Sequence, residues 1–170
     1  MIWSLYFRSI AHAVALNSKC LSIKIGAIIV KDNSIICTGY NGPPRNVPEC
    51  DRRWEFDKNL KPFLDRRETI PRCPRRILGF ASGEGLNLCI AAHAEANCIA
   101  NAARHGIELV NTSMYMTCGV PCKNCLALII NAGISHIICE DKIFYDTESE
   151  YLVSYSLLNV STYKEIGGSQ

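Results

Sequence analysis

The spacing of the apolar residues changes along this chain between helical and strand-like periods, and these changes predict the order of its helices and strands. In residues 2–18 the apolar side chains recur at helical spacing. Residues 25–30 form a short apolar run, and a second run at 35–38 follows the polar turn at 31–34. Two short apolar runs around such a turn predict a β-hairpin that follows an N-terminal helix.

The second half of the chain alternates helical and strand-like patterns. They are a helix at 94–105, a strand at 113–117, a helix at 123–132, a strand at 134–139, a helix at 147–158 and a strand at 160–163. This alternation predicts an α/β fold, with a sheet of about five strands and helices on both faces. A length of 170 residues predicts one domain, 1–170, and residues 51–88 break the alternation as a loop-rich insert.

The composition is typical of a compact globular protein without a membrane span. A hydrophobic content of 48% is ample for a core. Arg8 and His12 interrupt the apolar N-terminal segment, so we expect no membrane span. Ten cysteines without a secretory signal pattern indicate reduced thiols and metal, which favours a cytoplasmic protein.

The insert carries much of the positive charge. Residues 45–76 hold ten Lys or Arg and six Asp or Glu, a balance of +4 in a chain of net +2. The basic clusters are Arg52-Arg53, Arg66-Arg67, Arg72 and Arg75-Arg76. Such a stretch can meet phosphates, cover a site or contact a subunit, or it can be a solvated face. A pI near 8.0 is too mild for a dedicated polynucleotide binder.

Two short motifs carry the candidate chemistry. Residues 93–95 read His-Ala-Glu, and residues 121–125 read Pro-Cys-Lys-Asn-Cys. His93, Cys122 and Cys125 would hold a zinc ion and leave one coordination position open. Glu95 would then be free to move protons, a combination typical of zinc enzymes that remove the amino group of a nucleobase. A purely structural zinc site is the alternative, but it leaves Glu95 unexplained.

The motifs belong to a longer series that resembles a known family. Residues 19–31 and 39–44 precede the two motifs, and the series resembles the deoxycytidylate (dCMP) deaminases of bacteria and their phages over about residues 5–163. The resemblance implies the cytidine deaminase-like three-layer α/β/α sandwich with a mixed sheet. It implies hydrolysis of dCMP to dUMP and ammonia, which supplies thymidylate synthesis, in the host cytoplasm if the protein is phage-encoded. It also implies a homohexamer, with dCTP as activator, dTTP as inhibitor and Mg²⁺ on these triphosphates.

The resemblance assigns substrate roles to five residues. Asn41 would bind the 3′-hydroxyl, the backbone N–H of Ala94 would face the pyrimidine carbonyl, Ser22 and Lys24 would meet the 5′-phosphate, and Tyr145 would close the pocket. Turn chemistry for Asn41, a solvated Lys24 and ordinary packing of Tyr145 remain open.

The resemblance also implies an effector site and a second metal. Arg104, Gly42 and Arg45 would bind the effector nucleotide, although a helix C-terminus favours a cation such as Arg104 in any case. The four cysteines Cys20, Cys50, Cys73 and Cys89 would form a structural zinc site. Free cysteine is also a common core residue, so this set stays open against simple packing.

Two other functions compete with this interpretation. An RNA- or tRNA-directed deaminase shares both motifs but needs a broad basic surface and aromatic side chains for a flipped base. A non-catalytic zinc module would need no carboxylate at position 95. We therefore expect small nucleotides as ligands, and neither a polynucleotide nor a membrane as partner.

Overall fold

A five-stranded mixed sheet forms the centre of the computed structural model, which describes residues 3–60, 73–81 and 83–167. The strand order is β2-β1-β3-β4-β5. The strands are β1 (Gly26–Lys31), β2 (Ser34–Tyr40), β3 (Ser113–Met116), β4 (His136–Cys139) and β5 (Asn159–Thr162). β1 pairs antiparallel with β2 and β3, whereas β3, β4 and β5 are parallel. The predicted sheet of about five strands is confirmed.

The described part of the chain has seven α-helices. They are α1 (Trp3–Ala15), α2 (Arg53–Phe56), α3 (Pro74–Ile77), α4 (Ala94–Arg104), α5 (Lys123–Asn131), α6 (Thr147–Tyr155) and α7 (Tyr163–Gly167). A 3₁₀ turn at Leu86–Leu88 precedes α4 by a few residues. The helices predicted in the first and second halves of the chain correspond to α1, α4, α5 and α6.

The sequence prediction ended with a strand and missed α7. That helix begins with a capping box, because the Thr162 backbone N–H donates to Glu165 Oε2 at 2.7 Å and the Glu165 N–H donates to Thr162 Oγ1 at 3.3 Å. The spacing Thr162-x-x-Glu165 is therefore the sequence signal that predicts this helix.

The two faces of the sheet have separate hydrophobic clusters, which gives three layers. Along β1, Ala27 and Ile29 point to the cluster that includes α4 and α5, while Ile28 and Val30 point to Phe7 and its neighbours on α1. Both faces of β1 are buried, so its sequence is continuously apolar rather than alternating. Helices cover both faces, as predicted for the cytidine deaminase-like sandwich.

Strand direction brings three chain segments to one edge of the sheet. Because β1 is antiparallel to both neighbours, β2 runs in the same direction as β3 and β4. The loops that follow β2, β3 and β4 therefore meet at a single edge, where ligands bind in open α/β sheets. The hairpin that starts this arrangement turns through Asp32 and Asn33, with φ values of 50° and 58°.

The insert is irregular where the structure describes it. Its helices α2 and α3 have four residues each. Of the predicted basic clusters, Arg66, Arg67 and Arg72 lie outside the described residues. No helix in the described ranges is long and apolar enough to cross a membrane.

Candidate active site

Three side chains from the starts of two helices converge as the sequence predicts. His93 immediately precedes α4, Cys122 immediately precedes α5, and Cys125 lies in the first turn of α5. His93 Nδ1 lies 3.5 Å from Cys122 Sγ and 3.4 Å from Cys125 Sγ. Their potential ligand atoms all lie within 4.8 Å of one another, so the trio forms a candidate metal site.

The backbone at both helix starts leaves these side chains free for a metal. His93 (φ −72°, ψ 156°) and Cys122 (φ −64°, ψ 159°) are the N-cap residues of α4 and α5, and neither side chain caps its own helix. Their carbonyl groups still accept the first helical hydrogen bonds, from the N–H groups of Asn97 and Leu126, both at 2.9 Å. The helices can therefore begin at these residues although an ordinary side-chain cap is missing.

The charges of the trio suit a divalent cation. Hydrogen bonds from Cys125 and then from His93 lower the pKa of Cys122 to about 4. The hydrogen bond with Cys122, together with burial, raises the pKa of Cys125, and the hydrogen bond with Cys122 raises that of His93. One thiolate thus forms readily and shares the remaining proton with its neighbours, and a coordinated cation displaces such a proton.

Glu95 is a buried carboxylate beside the trio and outside the ligand set. Its residue is 4% exposed, and burial raises the pKa of its carboxyl group. The Cys118 thiol lies 4.0 Å from Glu95 Oε1. Burial also raises the pKa of Cys118 well above 9.0, so this thiol stays neutral next to the carboxylate. A carboxyl group that holds its proton more tightly than usual can exchange it with a bound molecule.

A cavity of about 470 Å³ is lined by Glu95 and by two of the three candidate ligands, His93 and Cys122. This volume suits a mononucleotide-sized ligand. Residues from the loops after β2, β3 and β4 line it, and they include Asn41, Cys118 and Asp141. The cavity therefore occupies the sheet edge at which the three strands end.

The helix α4 is held against β2 by close backbone contact. A Cβ atom at Gly39 would lie 2.4 Å from the Cys98 nitrogen and 2.5 Å from the Ala94 oxygen, so only glycine fits there. The Asn97 amide donates to the Tyr40 carbonyl at 2.8 Å. These contacts fix the height of His93 and Glu95 above the sheet.

Gly42 continues this attachment beyond the end of β2. It exchanges two backbone hydrogen bonds with Ala92, at 3.1 and 2.9 Å. Because Ala92 immediately precedes His93, the Gly39–Gly42 segment of the chain orients the metal motif directly.

The structure brings four of the five predicted substrate residues to the cavity and leaves one outside. Asn41, Ala94, Ser22 and Tyr145 line it, whereas Lys24 is exposed and donates to the Leu16 carbonyl at 3.1 Å. Tyr145 is 51% exposed, and a Cβ atom at Gly83 of the insert would lie 3.5 Å from its hydroxyl oxygen. The Tyr145 ring is thus at the mouth of the cavity.

The Asn41 amide is largely engaged within the protein. Its Oδ1 accepts from Ser18 Oγ at 2.7 Å and from the Ile25 N–H at 2.8 Å, and its Nδ2 donates to the Ile23 carbonyl at 2.9 Å. One Nδ2–H remains for a ligand. Asn41 therefore ties the loop before β1 to the end of β2, a role that its position in an Asn-Gly pair did not predict.

The predicted effector residues separate into two places. Arg45 and Arg104 line a second cavity of about 330 Å³ together with Asn101 and His105. Arg45 Nη2 donates to Asn101 Oδ1 at 3.1 Å. Gly42 lies instead in the attachment to Ala92, and it does not line this cavity.

The four cysteines of the predicted second metal site are neighbours but do not form a compact ligand set. The pKa of Cys50 is raised to about 11, first by burial and then by the charge of Cys73. Cys89 and Cys20 make smaller contributions in the same direction, and Arg53 acts against them. No three of the four sulfur atoms, all in the described ranges, lie within 4.8 Å of one another. All ten cysteines of the chain are described, and all are free thiols.

Sequence reasoning missed several residues that line the cavity. Cys118 and Asp141 each follow a strand that ends at this edge, and the topology rule for parallel strands would have found them. Arg75 comes from the insert, where the sequence indicates only a basic cluster. No local motif predicts that its side chain reaches the cavity.

Comparisons with known proteins agree with this site. The sequence profile described as "Cytidine and deoxycytidylate deaminase zinc-binding region" matches residues 1–141. The deoxycytidylate deaminase of Mycobacterium phage D29 is 33% identical over 141 residues, which are 80% of this chain and 92% of that protein. The deoxycytidylate deaminase of Schizosaccharomyces pombe is 26% identical over 162 residues, which are 95% of this chain but 44% of that longer protein.

A solved structure shares the fold. The dCMP deaminase of the cyanophage S-TIM5, in complex with dCMP and dUMP, superposes with a TM-score of 0.64 at 19% identity. The superposition covers 93% of this chain and 94% of that protein.

Proposed function

Because the chain belongs to the family of the cytidine and deoxycytidylate deaminase zinc-binding region, we propose that it hydrolyses dCMP to dUMP and ammonia. The observation that carries the proposal is the buried carboxylate of Glu95 beside His93, Cys122 and Cys125, inside a cavity of nucleotide size. The name of the phage D29 relative and the nucleotides bound to the cyanophage protein support dCMP as the substrate.

The donor set fits a catalytic zinc ion. One imidazole nitrogen and two thiolates are typical zinc ligands, and a set of three leaves a fourth position open. Zinc held there would supply Lewis acidity, which lowers the pKa of water to about 7. His93, Cys122 and Cys125 would hold the ion, and Glu95 would stay outside its ligand shell.

Glu95 would act as the proton shuttle. Its carboxylate would accept one proton from the attacking water and deliver it to N3 of the cytosine ring as the C–O bond forms at C4. It would then take the second proton from the hydroxyl group on C4 and deliver it to the amino group as the C–N bond breaks, so water and dCMP are converted to dUMP and ammonia. Burial, which raises the pKa of Glu95, favours this role because the carboxyl group must carry the proton between the two steps.

The substrate would lie along the line of residues from Ala94 to Ser22. The backbone N–H of Ala94 would face the pyrimidine carbonyl, and the remaining Nδ2–H of Asn41 would donate to the 3′-hydroxyl. Ser22 fits the phosphate side better than Lys24, because Ser22 lines the cavity and the Lys24 ammonium group is directed to Leu16. Tyr145 would cover the ring from the mouth of the cavity.

Regulation and assembly extend the proposal. Arg45 and Arg104 would receive the triphosphate of dCTP or dTTP with its Mg²⁺, since both arginines line the second cavity. The enzyme would assemble as a homohexamer and supply dUMP for thymidylate synthesis. A reducing cytoplasm suits a protein whose ten cysteines are all free.

We also propose that Cys20, Cys50, Cys73 and Cys89 bind a second, structural zinc ion, which would have to draw their sulfur atoms together. The mutual effect of these thiols on the pKa of Cys50 supports their proximity. Metal analysis of the purified protein tests this. Two zinc ions per chain, falling to one in Cys50→Ser, is the expected result, and one ion in both proteins would contradict the second site.

The substrate assignment is tested by offering zinc-loaded protein dCMP, CMP, deoxycytidine, dCTP and a tRNA pool separately, with and without dCTP and Mg²⁺ as effector. We expect rapid release of ammonia from dCMP, stimulation by dCTP, and loss of turnover in Glu95→Gln. Release of ammonia from tRNA but not from dCMP would instead identify a polynucleotide deaminase.

A further inference from the structure

One arginine of the insert is buried in the wall of the active-site cavity. Arg75 lies on α3, its residue is only 8% exposed, and it lines the cavity. Its Nη2 donates to the Ala81 carbonyl at 3.1 Å, but its buried Nε has no hydrogen-bond partner. No carboxylate in the described ranges forms an ion pair with it. A buried guanidinium with an unsatisfied donor is costly unless a partner arrives.

The neighbouring residues make this wall a polar, cationic one. Arg76, next in sequence, donates from Nε to Ser22 Oγ at 3.2 Å. Ser22 lines the same cavity as Arg75, and the next residue, Ile23, accepts the hydrogen bond from the Asn41 amide. One guanidinium group and one hydroxyl therefore line the cavity, and the exposed guanidinium of Arg76 bonds that hydroxyl from outside.

We propose that Arg75 binds the 5′-phosphate of the substrate and selects a nucleotide over a nucleoside. The inference rests on the proposed deamination and adds a binding residue to it. An arginine presents several donors in a planar fork that matches phosphate oxygens. The unpartnered Nε–H would donate to such an anion.

The other charges of the cavity explain why a strong cation is needed. Glu95 and Asp141 also line it, and both would repel a phosphate. Asp141 Oδ1 accepts from the Ile143 N–H at 3.0 Å, so this carboxylate remains on the wall that follows β4. Arg75 supplies a compensating positive charge from the insert.

The first experiment compares dCMP with deoxycytidine, which lacks the phosphate. We expect Arg75→Gln to lower kcat/KM for dCMP on the order of 100-fold, the effect of losing charge-assisted hydrogen bonds, and to leave that for deoxycytidine within about twofold. Arg52→Gln removes the same charge from an exposed position of the insert and should change neither value. Arg75→Lys should recover only part of the selectivity, because it keeps the charge but loses the fork.

The pattern of losses separates the possible failures. An equal fall for both substrates in Arg75→Gln would mean that Arg75 only supports the structure, and an unchanged dCMP value would exclude it from the phosphate site. Wild-type protein that turns over no dCMP would overturn the proposed function itself, whatever the variants do.

A second measurement uses the wild-type protein and needs no turnover. In protein labelled with ¹⁵N-arginine, the Arg75 Nε–H resonance should move when dUMP binds and stay in place with deoxyuridine. A resonance that does not respond to saturating dUMP overturns the assignment of Arg75, even if the variants fail to fold. Absence of dUMP binding overturns the proposed function and this inference together.

Discussion

The metal motif and the insert are built in opposite ways. His93 and Glu95 stand at the start of an eleven-residue helix whose neighbours Ala94 and Cys98 are completely buried against the sheet. The insert has helices of only four residues, and Arg53 of α2 donates to the Leu88 carbonyl. The difference teaches that the groups proposed for bond breaking begin long, packed helices, whereas Arg75, proposed to bind the phosphate, lies on a short helix of the insert that sequence change can reshape.

The substitution Glu95→Gln tests the chemical role of the His93–Glu95 motif and should have the largest effect. The amide keeps the shape of the side chain but cannot carry a proton, so we expect kcat for dCMP to fall by about 10²–10⁴. Zinc content and the melting temperature should stay close to wild type, because Glu95 is outside the ligand set. Activity above about a tenth of wild type would exclude Glu95 as the proton shuttle.

The rigidity of the motif is tested at Gly39. A Cβ atom there would lie within 2.7 Å of three backbone atoms of α4, none of which can move without the helix. We expect Gly39→Ala to lower the free energy of unfolding by about 2–3 kcal/mol, measured by urea denaturation. Gly42→Ala is the matched control, since its nearest neighbour would be at 3.8 Å. Equal losses in both variants would refute close packing as the cause.

A mutation in the insert should destabilise the insert and leave the sheet and α4 almost unchanged. The Arg53 guanidinium pairs with Asp57 at 2.6 Å and bonds the Leu88 carbonyl, with side-chain exposures of 12% and 17% for the charged pair. We expect Arg53→Ala to cost about 2 kcal/mol, which would appear as faster hydrogen exchange in residues 53–57 and 86–89. Exchange in β1 and α4 should hardly change. Equal acceleration in those core elements would show that insert and core unfold as one unit.

The smallest expected effect concerns Glu140, which follows β4 and binds Arg8 and His12 of α1. Burial raises the pKa of Glu140, but hydrogen bonds from Arg8 and His12 outweigh it and hold the pKa below the usual 4.5. The folded state is therefore stabilised above pH 4.5, and this contribution disappears as the pH falls through the lower, folded-state pKa.

We expect Glu140→Gln to reduce the free energy of unfolding at pH 7 by about 1 kcal/mol. Urea denaturation at several pH values checks the sign. The difference between variant and wild type should vanish under acid conditions below the folded-state pKa of Glu140, and a constant difference at every pH would contradict this linkage.

The two regions also differ in how far the sequence predicts them. The sequence predicts the three metal ligands from short motifs. Cys122 and Cys125 are three residues apart and share one helical turn, and His93 lies at the start of another predicted helix. Arg75 reaches the cavity through tertiary contacts that no local period encodes. Ser22 and Lys24 were indistinguishable in an irregular segment, and only the folded chain shows that Lys24 turns away.

The N-cap positions of α4 and α5 have a consequence for how this protein can change over evolutionary time. At most helix starts, replacement of the first residue by Ser, Thr, Asp or Asn is an accessible stabilising mutation of about 0.5–2 kcal/mol. Here both positions are occupied by His93 and Cys122, which cap neither helix. That route to higher stability is closed in any descendant that keeps the metal, so compensating substitutions must accumulate elsewhere in the chain.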